Sequence, residues 1–278
     1  MNGVRINLKT NSLGDTMGAV AQVDRFQRIK NCNVGFYINP KYVDILKKTY
    51  PKISFNPENF EFHEEKDIHF LFDRPLQKGF SDELGLTDYV ESRPRVYVPD
   101  DSAPLISKKY ITISTQSTHQ ARYWNNSKGW DNLIKYLKNK YGISVVCIDQ
   151  FDCYGVRGII NKVPAKAINR CGVDLKSCIN YINHGLFHVG TSNGLCWLAH
   201  ACGKHVVLIS NVTKAWCEFT EDITRIYNET VCHGCLNEEP FDPDNWMWCP
   251  RKKNFECTKK ISFEDIRKKI DECVIARI

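Results

Sequence analysis

Short apolar runs alternate with amphipathic stretches along most of the chain. Val4 to Leu8 reads as a strand, followed by the polar turn Thr10-Asn11-Ser12-Leu13-Gly14-Asp15-Thr16. A helix then runs to about Ile29, with Met17, Val20, Ala21 and Phe26 turned inward. Val34 to Ile38 is a second strand, Tyr42 to Lys48 a short helix, and Ile68 to Phe72 a further strand. From Ser92 to Pro104 the regularity stops, because Pro94, Pro99, Asp100-Asp101 and Pro104 break any continuous element. A domain boundary is expected there, dividing the chain into 1–102 and 103–278.

A second alternation follows. Tyr110 to Thr115 is a strand, 116–127 a polar loop, Gly129 to about Lys140 a helix, and Ile143 to Ile148 a strand ending at Asp149-Gln150. Beyond a looser stretch across Gly155 and Gly158 come a helix at Leu175 to Ile182 and a buried strand at Leu186 to Val189. The turn Gly190-Thr191-Ser192-Asn193-Gly194 leads into a helix with Leu195, Leu198, Ala199 and Cys202 on one face. Gly203 closes that helix, and Val206 to Ile209 is the next strand. Such alternation predicts parallel α/β sheets, in which ligands bind beyond the carboxyl ends of the strands.

Composition narrows the class without naming a function. With 42% hydrophobic and 25% charged residues, the 278-residue chain can bury a substantial core. The net charge of +6 is spread along the chain and favours phosphorylated or polyanionic partners only weakly. No run has the length and apolarity needed to span a bilayer, and the polar first ten residues do not read as a signal peptide. A cytoplasmic protein is therefore expected, its 13 cysteines mostly reduced.

Four places carry candidate chemistry. Asp15 stands just after the first strand, where an aspartate either caps the following helix or offers a carboxylate to a ligand. Arg122 is the fixed cation in the polar loop Gln116-Ser117-Thr118-His119-Gln120-Ala121-Arg122-Tyr123-Trp124-Asn125-Asn126, and its guanidinium suits phosphate oxygens. The Thr191-Ser192-Asn193 turn leads a helix whose bare N–H groups point to where a phosphate would sit. The plain alternatives are a capped helix and a solvated surface loop. Near the C-terminus, Cys232-His233-Gly234-Cys235 is followed by Cys249 and Cys257. Four thiolates from one short segment, 230–258, make a closed tetrahedral site for zinc or iron, structural because no position is left open. The segment shows no helix or strand pattern, so a metal would supply what a core does not. The other nine cysteines read as small core residues. Ser262-Phe263-Glu264-Asp265 caps a last helix at about 263–274.

Taken together, these motifs resemble the bacterial autotransporter heptosyltransferases, relatives of the lipopolysaccharide heptosyltransferases. Asn11 to Thr16 carries part of the likeness. Gln116 to Asn126, with Gly129-Trp130 and Val146 to Gln150, carries more. Gly190 to Gly203 and the cysteine segment through Cys257 complete it. The resemblance implies a GT-B fold, in which two Rossmann-like domains face a cleft and the C-terminal one bears a four-cysteine metal finger. It implies inverting transfer of heptose from ADP-heptose to an acceptor hydroxyl, of protein Ser or Thr, with Asp15 as general base. Thr16, Gln116, Ser117, Arg122, Asp149, Gln150, Thr191, Ser192, Asn193, Gly194 and Glu218 would bind the donor, and Cys232, Cys235, Cys249 and Cys257 would hold iron, with zinc as the alternative. No catalytic metal is expected: a nucleoside diphosphate is already a good leaving group, and Arg122 with the helix start can neutralise its growing charge. A homo-oligomer and no membrane partner are expected. Family members carry a small β-rich domain ahead of the Gly-Asp-Thr motif, whereas this chain starts a few residues before that motif. A glycan or modified nucleic acid is therefore an alternative acceptor. A reading of another class is a metal-stabilised nucleic-acid-binding module using Arg251-Lys252-Lys253 and Lys259-Lys260.

Overall fold

A computed structural model describes residues 3–156 and 158–278. Two parallel sheets organise it. The first contains β1 (Gly3–Leu8), β2 (Asn33–Tyr37), β3 (Ile53–Phe55) and β4 (Glu64–Ile68) in the order β3-β2-β1-β4. The second is built from β5 (Tyr110–Ser114), β6 (Ser144–Cys147), β9 (Ile168–Asn169), β10 (His188–Thr191), β11 (Val206–Ile209) and β12 (Ile223–Ile226) in the order β12-β11-β10-β5-β6-β9. The numbers between belong to a small antiparallel hairpin, β7 (Cys153–Tyr154) and β8 (Asn161–Lys162). Every residue of β5, β10 and β11 is buried, as parallel strands covered on both faces require.

Helices fill the crossovers. In chain order they are α1 (Leu13–Lys30), α2 (Val43–Leu46), α3 (Leu76–Glu83), α4 (Gly129–Tyr141), α5 (Leu175–His184), α6 (Gly194–Ala201), α7 (Cys235–Glu238), α8 (Glu256–Lys259) and α9 (Phe263–Ile275). Ser262 and Asp265 form a reciprocal capping box at the start of α9, as their spacing predicts.

The strand expected at Ile68 to Phe72 lies earlier, at Glu64–Ile68. Its sequence Glu-Glu-Lys-Asp-Ile is polar because it forms a sheet edge with a solvated face, which conceals the usual apolar run. Phe70 and Phe72 instead pack into a separate small core with Leu236, Trp248 and Phe255. That core corrects a second expectation. The cysteine segment is not without structure of its own: it contains α7 and α8, and it buries Leu236, Trp246, Trp248 and Phe255. Of the nine other cysteines, six are buried; Cys171 and Cys202 are half-buried, and Cys153 is exposed on the hairpin.

One apolar cluster runs without a break from Ile6 and Phe36 in the first sheet through Trp197 and Leu198 to Val206 and Leu208 in the second. The continuity comes from α1 packing on α6. Polar ties reinforce it: Leu76 N–H donates to Cys217 O at 3.0 Å, Thr220 N–H donates to Glu91 at 2.7 Å, and Arg93 pairs with Asp222 at 2.5 Å.

Candidate active site

The site lies where the starts of α1 and α6 meet. On the first side, Ser12 caps α1, its hydroxyl accepting the Asp15 N–H at 3.2 Å. Asp15 is therefore not the cap, and its carboxylate is left for other use. Thr10 Oγ1 donates to Asp15 Oδ2 at 2.8 Å. Burial pushes the Asp15 carboxyl above its ordinary value; the Thr10 hydrogen bond, the positive charge of Arg122 and the Ser12 contact pull it partly back. Arg122 belongs to the other half of the molecule, so a group from each half bears on this carboxylate. Thr16, by contrast, is fully buried and returns its hydroxyl to Ser12 O at 2.8 Å, inside its own helix.

On the second side, the loop after β5 is held by Asp149. Its carboxylate accepts the Thr115 N–H at 2.9 and 3.0 Å, the Thr115 hydroxyl at 2.7 Å, the Gln116 N–H at 3.2 Å and the Cys147 thiol at 3.2 Å. A carboxylate so occupied, with its pKa raised by burial, shapes the loop and has little left for a ligand. Gln116 donates Nε2 to Phe151 O at 2.7 Å, and its buried Oε1 has no partner among the described residues. Gln150 is exposed beside it.

Ser117 and Arg122 converge on the turn after β10. Ser117 Oγ donates to Ser192 O at 3.2 Å and Arg122 Nη1 to the same oxygen at 3.4 Å, while Arg122 Nε is buried without a hydrogen-bond partner among the described residues. The helix start is less bare than expected. Asn193 Oδ1 accepts the N–H groups of Leu195 and Cys196 at 3.0 and 3.1 Å, so two of the orphan donors are capped from within. The Asn193 amide also donates to Gln116 O at 2.8 Å and ties the two loops together. Thr191 is buried in the strand.

Glu218 is buried below this turn. It accepts Ser192 Oγ at 2.7 Å and Thr213 Oγ1 at 2.9 Å, and it pairs with Arg225. Arg225 was not singled out from the sequence, although a charge inside Ile223-Thr224-Arg225-Ile226 was a usable signal. Thr10, the hydrogen-bond donor to Asp15, was also passed over, since threonine in a turn carries no distinguishing mark.

Around the cysteine segment, Cys235 and Cys257 are buried and Cys232 and Cys249 half-buried. Burial pushes the Cys257 thiol above its ordinary value, and Cys232, Cys235 and Cys249 add to the shift. No three of them, however, lie mutually within 4.8 Å; among the described residues that spacing is met by Cys147, Asp149 and Cys171. The basic residues there are largely neutralised: Arg251 pairs with Glu238 at 2.6 Å and Glu239 at 3.1 Å, and Lys253 with Glu256 at 3.3 Å. A nucleic-acid surface needs such cations unpaired. No described helix is long and apolar enough to cross a membrane.

No protein-family model matches the chain. Two parallel sheets covered by helices give the GT-B-like fold of a glycosyltransferase, and the fold alone extends to the Escherichia coli heptosyltransferase WaaC. That structure has a TM-score of 0.59 at 11% identity and covers 97% of this chain and 99% of its own. Autotransporter heptosyltransferase BAHTCr of Citrobacter rodentium is 34% identical over 93% of this chain and 68% of its own length, and autotransporter heptosyltransferase TibC of Escherichia coli matches to the same extent. The chain belongs to the autotransporter heptosyltransferases and is a glycosyltransferase. A crystal structure of TibC, described as iron-containing and dodecameric, superposes with a TM-score of 0.92 at 30% identity over 98% of this chain and 76% of that one. TibC in complex with ADP-D-β-D-heptose superposes with a TM-score of 0.91, covering 99% of this chain and 76% of that one.

Proposed function

We propose that the chain transfers heptose from ADP-heptose, with inversion, to a serine or threonine hydroxyl of a protein acceptor. The observation that carries this reading is the contact of the α1 and α6 starts at Gly14 and Gly194, which sets Asp15 beside the Ser192-Asn193-Gly194 turn that Arg122 Nη1 bonds at 3.4 Å. In the proposed division, 1–102 is the acceptor side and 103–278 the donor side. Asp15 takes the proton from the acceptor hydroxyl as it attacks the anomeric carbon. Arg122, with its Nε still unpartnered, and the Ser192-Asn193-Gly194 turn hold the diphosphate and absorb its charge as the glycosidic bond breaks. Thr16, Asp149 and Glu218 act by positioning these groups, Ser117 and Gln116 by fixing the loop, and Gln150 and Thr191 by lining its edge. ADP-heptose as donor is supported by the TibC complex.

The donor set of the cysteine segment fits a metal. Four soft thiols gather there, Arg251 offsets the charge near Cys235, and left-handed turns at Gly234 and Lys252 follow their cysteines closely. Cys232, Cys235, Cys249 and Cys257 would close in on one iron, which would act as a structural cross-link and take no part in transfer. A homo-oligomer is proposed by analogy with dodecameric TibC.

The test is direct. Purified protein is incubated with ADP-heptose and an autotransporter passenger polypeptide, and free ADP and the acceptor's mass are followed. Stoichiometric ADP release with a heptosyl mass gain on Ser or Thr is expected. Absence of ADP-heptose binding in calorimetry, with another nucleotide sugar bound instead, overturns the donor assignment.

A further inference from the structure

We propose that Cys147 and Cys171 form a two-thiol modification site, converted to a disulfide by an oxidant of the peroxide class. Their Sγ atoms lie 3.8 Å apart, against about 2.05 Å in a disulfide. Their backbones are already neighbours: β6 and β9 pair with Cys147 opposite Asn169, and Arg170 N–H donates to Cys147 O at 2.9 Å. The two thiols differ in access. Cys147 is completely buried, whereas Cys171 is half-buried and open to a small oxidant.

This asymmetry sets the order of events. The Cys171 thiolate attacks the peroxide, an S–O bond forms, the O–O bond breaks, and hydroxide leaves to become water with the thiol's proton. The Cys147 sulfur then attacks the sulfur of the sulfenic acid. An S–S bond forms, the S–O bond breaks, and a second water carries away the Cys147 proton. Two thiols lose two electrons in total and one peroxide becomes two waters.

A metal is the other use of this spacing, since Asp149 joins both thiols within 4.8 Å. Against it, the Asp149 oxygens already accept hydrogen bonds from Thr115 and Gln116 that an ion would have to displace. A thiol pair needs no such displacement.

The disulfide has a consequence for the loop above. It removes the Cys147 S–H that donates to Asp149 at 3.2 Å, and Asp149 positions Thr115 and Gln116 at the root of the 116–127 loop. Losing one such bond can weaken ADP binding by at most about five-fold. This last step rests on the reading of that loop as part of the donor site.

The experiment treats the full chain with graded hydrogen peroxide, then measures metal content, intact mass, linked peptides by tandem mass spectrometry, and ADP affinity by calorimetry. Expected are loss of two hydrogens, a Cys147–Cys171 cross-linked peptide, ADP binding weakened by up to about five-fold, and recovery with dithiothreitol. Cys171→Ser should form no link and keep its ADP affinity under the same peroxide. Two results overturn the site: Cys171 progressing to sulfinic acid with no link to Cys147, or a stoichiometric metal in untreated protein that Cys171→Ser lacks. A link that leaves ADP affinity unchanged upholds the thiol site and counts against the loop as a donor site.

Discussion

Gly194 approaches Gly14 so closely that a Cβ added to Gly194 would stand 2.9 Å from the Gly14 backbone nitrogen and 2.8 Å from Leu13 Cβ. Two helix starts from opposite halves of the molecule can touch this closely because Gly194 has no side chain. Gly194→Ala should therefore strain the joint, at about 1–3 kcal/mol, with backbone the main obstacle to relief. Urea denaturation of the variant beside the parent protein measures this; an unchanged midpoint would show that the seam yields easily.

As the proposed base, Asp15 would act only when ionised, and burial has raised its pKa. Transfer should accordingly rise with pH along an acid limb displaced above the ordinary carboxylate value. Both Thr10 and Arg122 lower that pKa, Thr10 more. Thr10→Val should move the limb further up, and Arg122→Gln should do so less while also weakening ADP binding. Asp15→Asn should cost about 10²- to 10⁴-fold in turnover with donor affinity nearly kept. Rate–pH profiles and ADP titrations check all three.

Removing Arg225 takes the ion-pair partner from the buried Glu218, to which Ser192 and Thr213 still donate. Arg225→Met should cost about 3–5 kcal/mol of stability. Adding Glu218→Gln should recover much of that, because an amide oxygen can still accept from Ser192 and Thr213. The double-mutant cycle by chemical denaturation decides it.

His188 is fully buried between Thr112 and Ser114, bonded to their hydroxyls at 2.9 Å each, and burial lowers its pKa from 6.5 to about 3. The unfolded chain binds a proton there near pH 6.5 and the folded one does not until about pH 3. Stability from this group is thus complete above pH 6.5 and lost as pH falls toward 3, at up to about 1.4 kcal/mol per pH unit. Between pH 6.5 and 5, before most carboxylates titrate, His188→Gln should flatten the slope of unfolding free energy against pH by that share.

The strands that form the sheet centres were legible because both their faces are buried, so their apolar runs are continuous. The turns at Asp15, Arg122 and Ser192 were legible for a related reason: each follows such a strand, and topology then places its polar residues at one edge. What escaped depends on partners distant in sequence. Glu64–Ile68 pairs with β1 through its backbone while its side chains remain polar, and α3 is too short to show a convincing period. Ile53–Phe55 and the 153–162 hairpin are shorter still. Within the site, Asp149 and Glu218 look like ligand-binding acids in the sequence. Only coordinates reveal that Thr115 and Gln116 occupy the first and Arg225 the second.

Phe72, from the first half of the chain, is gripped by the cysteine segment of the second. Its ring lies 5.3 Å from that of Phe241, and its carbonyl accepts the Asn237 amide at 2.7 Å. The segment is thus a buttress as well as an appendage. Whatever slackens it would loosen its hold on Phe72 and let the first half of the chain drift from the second, without any change at Asp15 or Arg122 themselves.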